Sequence, residues 1–424
     1  MLSKLSKNKI LFYVLLSSLS ILLGSLYLPQ FSSARFGIGY IILICFVFFL
    51  ANIIFNKNFK SGRFDFIDLI ILTFILILCI STFSSYFFKE SVIGFAKYIL
   101  MFLAYFMFKT TINSSSDFAY KYLWIFLIFC ATVVSVIGIY QYICGVEPLA
   151  TWEDPLIENI HTRVYSTLGN PNLLAGFLLL VLPLSITIPL EIKMNRFYKI
   201  LFLISSLTML LCIIFTGSRG GYLGLISLFL FGFFISIYYL NYKKHVFKSL
   251  KNLLYIFTLI GIVLLALYLV LTFVFPMFTE RLSTIFTLRE HSSNSYRLNV
   301  WISCLQMFKE NWLIGVGPGN ETFRLTYGLY MKSGFESLGA YNIFLEFGIE
   351  AGIMGLLIFC LLLLVLFLKL HYLFWTKNSF IALGIFLSLI GIITHGMVDT
   401  VFFRPQIFIP FWLLLASIGK LESR

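Results

Sequence analysis

The chain has 424 residues, of which 60% are hydrophobic and only 12% are charged. An average soluble domain carries about 25% charged residues, and a soluble chain this apolar would have too few polar residues to cover its surface. The composition excludes a soluble globular protein. The net charge of +13 does not indicate a nucleic-acid partner, because the lysines fall in short clusters between apolar runs, as they do where charge orients a membrane protein.

Many apolar runs are long enough to cross a bilayer, which takes about 20 residues per helix. The sequence predicts an all-α, polytopic integral membrane protein with about 12 transmembrane helices. No small-residue cleavage site follows the first run, so we interpret it as a retained span rather than a signal peptide. The predicted spans are 10–28, 36–55, 66–83, 92–110, 122–143, 172–190, 200–216, 221–240, 253–274, 347–368, 380–397 and 406–419.

Alternate connections between these spans hold most of the basic residues. The positive-inside rule places such connections in the cytoplasm, so both termini are predicted to be cytoplasmic, in a bacterial inner (plasma) membrane. The residues on this side are Lys4, Lys7, Lys9, Lys57, Lys60, Arg63, Lys109, Lys121, Lys193, Arg196, Lys199, Lys243, Lys244, Lys248, Lys251, Lys369, Lys377, Lys420 and Arg424.

One long loop, 275–347, lies on the predicted non-cytoplasmic side and is expected to contain surface helices. Leu298, Trp301 and Leu305 recur at helical spacing, which predicts a helix along the membrane surface over 296–308. The glycine-rich stretch 315–320 lacks the Lys-Ser/Thr ending of a phosphate loop. It is predicted to be a turn that closes the surface helix.

Four arginines lie on the predicted non-cytoplasmic side, where they oppose the orienting charge: Arg163, Arg219, Arg297 and Arg404. A charged side chain at the centre of a bilayer costs about 2.5–3.5 kcal/mol, so such residues usually face a polar cavity or a partner. One interpretation is an anion site, because guanidinium stays charged and offers a planar fork to phosphate oxygens. The other is local pairing, of Arg163 with Glu158 and of Arg404 with Asp399.

Local pairing is the favoured interpretation for Arg404, and the anion site is favoured for Arg219. The glycines beside Arg219 let a backbone approach a ligand closely, although they would equally let two helices touch. Glu346 and Glu350 are four residues apart and share one helix face. They are either a general base and its neighbour or the polar start of a helix. The histidines and cysteines show no metal-ligand spacing, so no metal site is predicted.

Four motifs in order resemble the O-antigen ligase and polymerase superfamily. They are RVYSTLGNPNLLAG at Arg163, TGSRGG at Arg219, YRLNVW with GVGPGN, and YNIFLEFGIEAGIMGLL. The resemblance covers about 163–357 and divides the chain into N-terminal transmembrane helices, 1–160, and a ligase-like region, 161–424. RVYSTLGNPNLLAG, LGAYNIFLE and DTVFFRP are also similar to a cyanobacterial subfamily named for bicarbonate transport.

The superfamily resemblance implies glycosyl transfer without metal or cofactor, from a lipid-linked glycan to an acceptor hydroxyl. Arg163, Arg219 and Arg297 would bind the polyprenyl diphosphate of the donor. The ligase histidine that activates the acceptor is replaced by Tyr341. An ordinary tyrosine, with a pKa of about 10, is a poor base at neutral pH. Either Glu346 or another carboxylate therefore takes the histidine's role, or ligase chemistry is lost.

Two other functions stay open from the sequence. The subfamily resemblance implies an inorganic carbon (bicarbonate) transporter, and arginines bind bicarbonate as readily as phosphate. Transporters often show inverted repeats and paired broken helices, and the sequence indicates neither. The third possibility is an inactive scaffold that still binds a lipid-linked glycan within the membrane lipids.

Overall fold

The computed structural model describes residues 7–29, 37–56, 59, 64–114, 117–147, 163–244 and 293–423. These residues form helices and turns and contain no β-strand, so the predicted all-α class is confirmed. The predicted span at 253–274, the first part of the long loop, and Glu158 lie outside the described residues.

Thirteen α-helices are present in the described ranges. In chain order they are α1 (Lys7–Ser25), α2 (Gly37–Phe55), α3 (Phe66–Phe83), α4 (Phe88–Ser114), α5 (Phe118–Cys144), α6 (Pro171–Glu191), α7 (Arg196–Phe215), α8 (Arg219–Lys244), α9 (Ser293–Glu310), α10 (Asn320–Tyr327), α11 (Ile343–Lys377), α12 (Phe380–Gly396) and α13 (Pro405–Glu422).

Nine of these described helices, α1 to α8 and α11, are long and apolar enough to cross a membrane. Each coincides with a predicted span. The shorter apolar helix α12 and the C-terminal helix α13 coincide with the last two. The prediction of a polytopic membrane protein is confirmed.

Helix α6 lies at the centre of the bundle, in contact with α5, α7, α8, α12 and α13. It is apolar on every side, which is typical of a helix buried on all faces, and most of its side chains are buried. Asn170 caps it, because its side chain accepts the N–H groups of Asn172 and Leu173, and Pro171 occupies the first turn. The cap thereby holds the first residues of α6 in place against the core.

The helix ends meet at two opposite ends of the bundle. At one, Val164 N–H donates to Phe215 O at 3.3 Å and Asn342 Nδ2 donates to Met397 O at 3.0 Å. We call this the site end; α6, α8, α11 and α13 begin there. At the other, Ser379 Oγ donates to the Glu191 carboxylate at 2.9 Å. This alternation agrees with the predicted topology, whereas the end that faces the cytoplasm stays a prediction from charge.

Lys109 lies inside α4 and is not a loop residue. Its Nζ is 2.5 Å from Asp68 Oδ2 and 3.1 Å from Asp65 Oδ2, and Tyr105 donates a hydrogen bond to Asp68 at 2.8 Å. The prediction that Lys109 is an orienting loop charge is wrong, because this cation is buried and is held by two acidic partners.

Helix α9 confirms the predicted helix over 296–308. Leu298 and Ile302 are exposed, whereas Val300 and Cys304 on the other side are fully buried. An apolar stripe therefore points away from the protein, which supports the predicted position along a membrane surface.

The glycine-rich stretch 315–320 is a turn, as predicted, and it is docked tightly against the bundle. Gly315, Gly317 and Gly319 have φ values of 83°, 104° and 113°, which glycine adopts without strain. The backbone of Gly319 also packs on Gly94 of α4, where a Cβ would lie 2.8 Å from the Gly319 Cα. The turn thus joins the loop to the transmembrane bundle.

Helix α11 is broken at Gly352, which has φ 65° and ψ −166°. The break pairs with the segment before the turn: Ile353 N–H donates to Trp312 O at 2.7 Å, and Val316 N–H donates to Ile349 O at 2.8 Å. The break is not predictable from the sequence, because Gly352 lies within an apolar run, as glycines of unbroken membrane helices also do.

Candidate functional site

Two of the four arginines meet through polar side chains at the site end. Arg163 Nη2 donates to Asn172 Oδ1 at 2.7 Å. Asn172 Nδ2 in turn donates to Asp399 Oδ2 at 2.8 Å, and Arg297 Nη2 lies 3.7 Å from the same oxygen. We call these four residues the arginine network. It joins the segment before α6, the start of α6, helix α9 and the turn between α12 and α13.

Arg163 is buried and is oriented by the end of α7. Its Nε donates to Thr216 O at 2.8 Å. Gly217 packs beside it, and the φ of 59° at Gly217 is one that glycine adopts without strain. Arg219, the first residue of α8, follows this turn directly and is partly exposed. The loop that orients Arg163 is therefore continuous with Arg219.

Arg297 stacks over a residue predicted to be catalytic. Its guanidinium carbon lies 5.9 Å from the centroid of the Tyr341 ring, and that ring makes an edge contact with Tyr296 at 5.9 Å. Burial, followed by Tyr296 and Asp399, raises the pKa of Tyr341 to about 12, against the opposing effect of Arg297. Tyr341 is therefore a neutral phenol at physiological pH.

Asp399 is the carboxylate of the network and is buried. Because it faces Arg297 and Asn172, the predicted pair of Arg404 with Asp399 is wrong. A 3-10 turn, Val401–Phe403, separates the two residues, so Asp399 faces the core while Arg404 is exposed. The predicted partner of Arg163, Glu158, lies outside the described ranges.

A cavity of about 520 Å³ opens beside the network. Asn172 and Asp399 of the network line it, and they contact Arg163 and Arg297, respectively. Tyr341 is also on the wall, whereas Glu346 is not. The described residues that line it are Asn170, Asn172, Asn320, Arg324, Tyr327, Gly328, Met331, Glu336, Ser337, Leu338, Gly339, Tyr341, Asp399, Thr400, Val401 and Arg404.

Helix N-termini converge on this cavity. Asn170 caps α6 and Arg404 precedes α13, while Tyr341 comes two residues before α11. The N-terminus of a helix carries about half a positive charge and presents free N–H groups to anions. The cavity therefore has a backbone contribution to positive potential besides its arginines.

The two glutamates of α11 have different neighbours despite sharing a helix face. Glu346 is buried, accepts a hydrogen bond from Ala340 N–H, and lies directly behind Gly339 on the cavity wall, 3.1 Å from where a Cβ would stand. Glu350 accepts from Tyr98 OH at 2.5 Å and from Gly319 N–H at 2.8 Å. The contacts of Glu350 are those of a residue that anchors the glycine-rich turn to α4.

His395 is a residue of this region to which the sequence assigns no role. It is fully buried, within electrostatic range of Asp399, Arg297 and Arg163. Neither ring nitrogen has a hydrogen-bond partner in the described part of the chain. Asn172 and Asp399 are also unexpected members of the site. The GNPN and DTVFFRP motifs that contain or adjoin them were the available signal.

One segment, from within α7 to within α11, is similar to a known protein family. Residues 204–360 match the O-antigen ligase family model. The matched region includes Arg219, Arg297, Tyr341 and Glu346, and covers less than half of the chain. It supports an O-antigen ligase-like membrane protein and gives no support to the bicarbonate transporter subfamily.

The O-antigen ligase match ends before Asp399 and begins after Arg163. The arginine network therefore joins one arginine of the matched region to two elements outside it, α6 and the turn after α12. A comparison with curated proteins gives no match.

Proposed function

We propose that this protein transfers a glycan from a polyprenyl diphosphate carrier to an acceptor hydroxyl at the site end of the bundle. We place this end on the periplasmic side of the bacterial inner membrane, because the opposite end has most of the lysines. The proposal rests chiefly on the arginine network beside a cavity of about 520 Å³. A cavity of this size accommodates a ligand of a few sugar units or a diphosphate with its first sugar.

The network suits a diphosphate leaving group. As the glycosidic bond breaks, negative charge increases on the phosphate oxygens, and guanidinium groups fixed in advance stabilise that charge. Arg297 lies 3.7 Å from the Asp399 carboxylate, and Arg163 is connected to the same carboxylate through Asn172. We propose that Arg163, Arg219 and Arg297 bind the diphosphate, and that Asn172 and Asp399 hold the first and last of these in position.

The acceptor hydroxyl has to lose a proton, and we propose that a carboxylate accepts it. Asp399 lies on the cavity wall, and Glu346 lies behind the wall at Gly339. Tyr341, a neutral phenol with a pKa of about 12, is proposed to position Arg297 and the acceptor without taking the proton. Glu346→Gln and Asp399→Asn test the two carboxylates one at a time. Asp399→Asn also alters the arginine network, whereas Glu346→Gln leaves the network unchanged.

Replacing Tyr341 with phenylalanine is expected to leave the pH dependence of transfer unchanged between about pH 6 and pH 10. The raised pKa keeps the Tyr341 phenol protonated throughout this pH range. Its ionisation therefore does not change the rate of transfer within the range. Initial rates in membrane vesicles across this range measure the effect. The matched control is Tyr330→Phe, which changes a partly buried tyrosine that donates a hydrogen bond to Glu310. A rate that rises toward pH 10 in the unmodified protein and in Tyr330→Phe, but not in Tyr341→Phe, would make Tyr341 the proton acceptor.

The function is tested in a strain whose surface polysaccharide depends on this protein. Arg219→Ala combined with Arg297→Ala is expected to abolish surface polysaccharide while the lipid-linked glycan accumulates, because the donor can no longer be used. Unchanged surface polysaccharide at normal protein levels would refute the proposal. Uptake of labelled bicarbonate by proteoliposomes measures the rival transporter function, for which we expect no flux above that of empty vesicles.

A further inference from the structure

A fourth arginine, Arg404, lies on the wall of the cavity and is held there by its backbone. Its N–H donates to Val401 O at 3.1 Å, and its carbonyl accepts the N–H of Phe408 at 2.9 Å. The neighbouring Phe402 is fully buried. Arg404 is exposed, so its backbone is fixed while the residue stays accessible at the cavity wall.

Arg404 has no acidic partner among the described residues. The acids of the same wall are Asp399, which contacts Arg297, and Glu336, which forms no ion pair within the described chain. The other arginine of the wall, Arg324, is paired with Glu321 at 2.9 Å. Arg404 is therefore the guanidinium on this wall that no described carboxylate neutralises.

Helix α13 does not explain why this position is an arginine. Arg404 is the N-cap of α13 and makes no side-chain capping bond, whereas serine, threonine, aspartate or asparagine would cap the helix. A cation here is also repelled by the positive end of the helix dipole. The residue is thus unfavourable for the helix it precedes, and an anion bound in the cavity would interact favourably with both the guanidinium and the helix end.

We propose that Arg404 binds an anionic group, a carboxylate or a phosphate, of the ligand that occupies the cavity, and that it selects ligands with such a group. This inference rests on the proposed function, in which that ligand is the donor or the acceptor of the glycan. The anionic group then belongs either to the donor diphosphate or to an acidic sugar or phosphate of the acceptor. The planar fork of arginine suits both.

The test measures binding to the purified full-length protein in detergent, with three probes: farnesyl diphosphate, a glucuronate-containing tetrasaccharide and a neutral tetrasaccharide. Arg404→Gln is expected to weaken binding of at least one anionic probe by about 10- to 100-fold and to leave the neutral probe unaffected. Arg404→Lys should lose less, since it keeps the charge without the fork. Arg196→Gln, an exposed arginine at the start of α7 at the opposite end of the bundle, is the control and should change little.

A loss confined to farnesyl diphosphate assigns the anion to the donor, and a loss confined to the glucuronate probe assigns it to the acceptor. Unchanged affinity for both anionic probes would overturn the proposal, as would the lack of saturable binding of either to the unmodified protein. A melting temperature equal to that of the unmodified protein is expected, because the side chain is exposed and the bonds that start α13 are made by the backbone. Failure of the proposed function is a separate result, seen as unchanged surface polysaccharide in the Arg219 and Arg297 double variant.

Discussion

Replacing Arg163 with alanine is expected to slow glycan transfer by about 100- to 1,000-fold. The guanidinium is held by Thr216 O and Asn172, so its position is set before the donor binds and no reorganisation is needed as charge develops. Arg163→Lys keeps the charge but cannot reproduce both hydrogen bonds, and it should fall between alanine and the unmodified protein. The rate of transfer of labelled glycan in vesicles measures the effect.

The control for Arg163→Ala is Arg196→Ala. Arg196 begins α7 at the opposite end of the bundle and is exposed, so its loss should leave the rate within about twofold of the unmodified protein. Melting temperatures of both variants separate lost chemistry from lost folding. Transfer at the unmodified rate in correctly folded Arg163→Ala would remove Arg163 from the proposed diphosphate site.

Replacing Gly352 with alanine is expected to be the most destabilising of the changes considered. The backbone there has φ 65°, which costs a non-glycine residue about 1–3 kcal/mol. An added Cβ would also collide with the Leu313 carbonyl and lie 2.6 Å from Ile314 N, at about 1–3 kcal/mol more for the overpacking. Thermal unfolding in detergent should show a clearly lowered melting temperature.

Gly232→Ala in α8 is the matched control for Gly352→Ala. Its added Cβ would meet Leu387 at 3.5 Å, an ordinary van der Waals contact, and alanine favours the helix by about 1 kcal/mol over glycine. The melting temperature should stay the same or rise. Equal melting temperatures for the two variants would contradict the tight pairing of the α11 break with the preceding loop.

The transmembrane helices could be predicted from the sequence because lipid demands a long apolar run for each span. α6 was found from its run 172–190 to within two residues. The break at Gly352 was not, because it depends on a hydrogen bond from α11 to Trp312 and on close packing against Leu313, which exist only in the folded chain. Lys109 was misplaced for a similar reason, since its partner Asp68 is 41 residues away in the sequence.

The candidate site was predictable in its cations and not in its connections. Arginines on the non-cytoplasmic side are exceptions to the positive-inside distribution of basic residues. This exception identified Arg163 and Arg297 from the sequence. They are joined by a hydrogen bond between Asn172 and Asp399, which are 227 residues apart in the sequence. A local sequence pattern cannot predict a contact between residues so far apart. Asp399 was assigned instead to Arg404, which is nearer in the sequence, because sequence proximity was the available guide.

We propose that Arg163 and Arg297 form one site for a diphosphate. Binding of farnesyl diphosphate to the purified protein, to each single alanine variant and to the double variant tests it most directly. We predict that each single change weakens binding by about 10- to 100-fold. The affinity lost in the double variant should be less than the two single losses combined, because both guanidinium groups bind the same ligand. Binding by all three variants with the affinity of the Arg196→Ala control would contradict the claim.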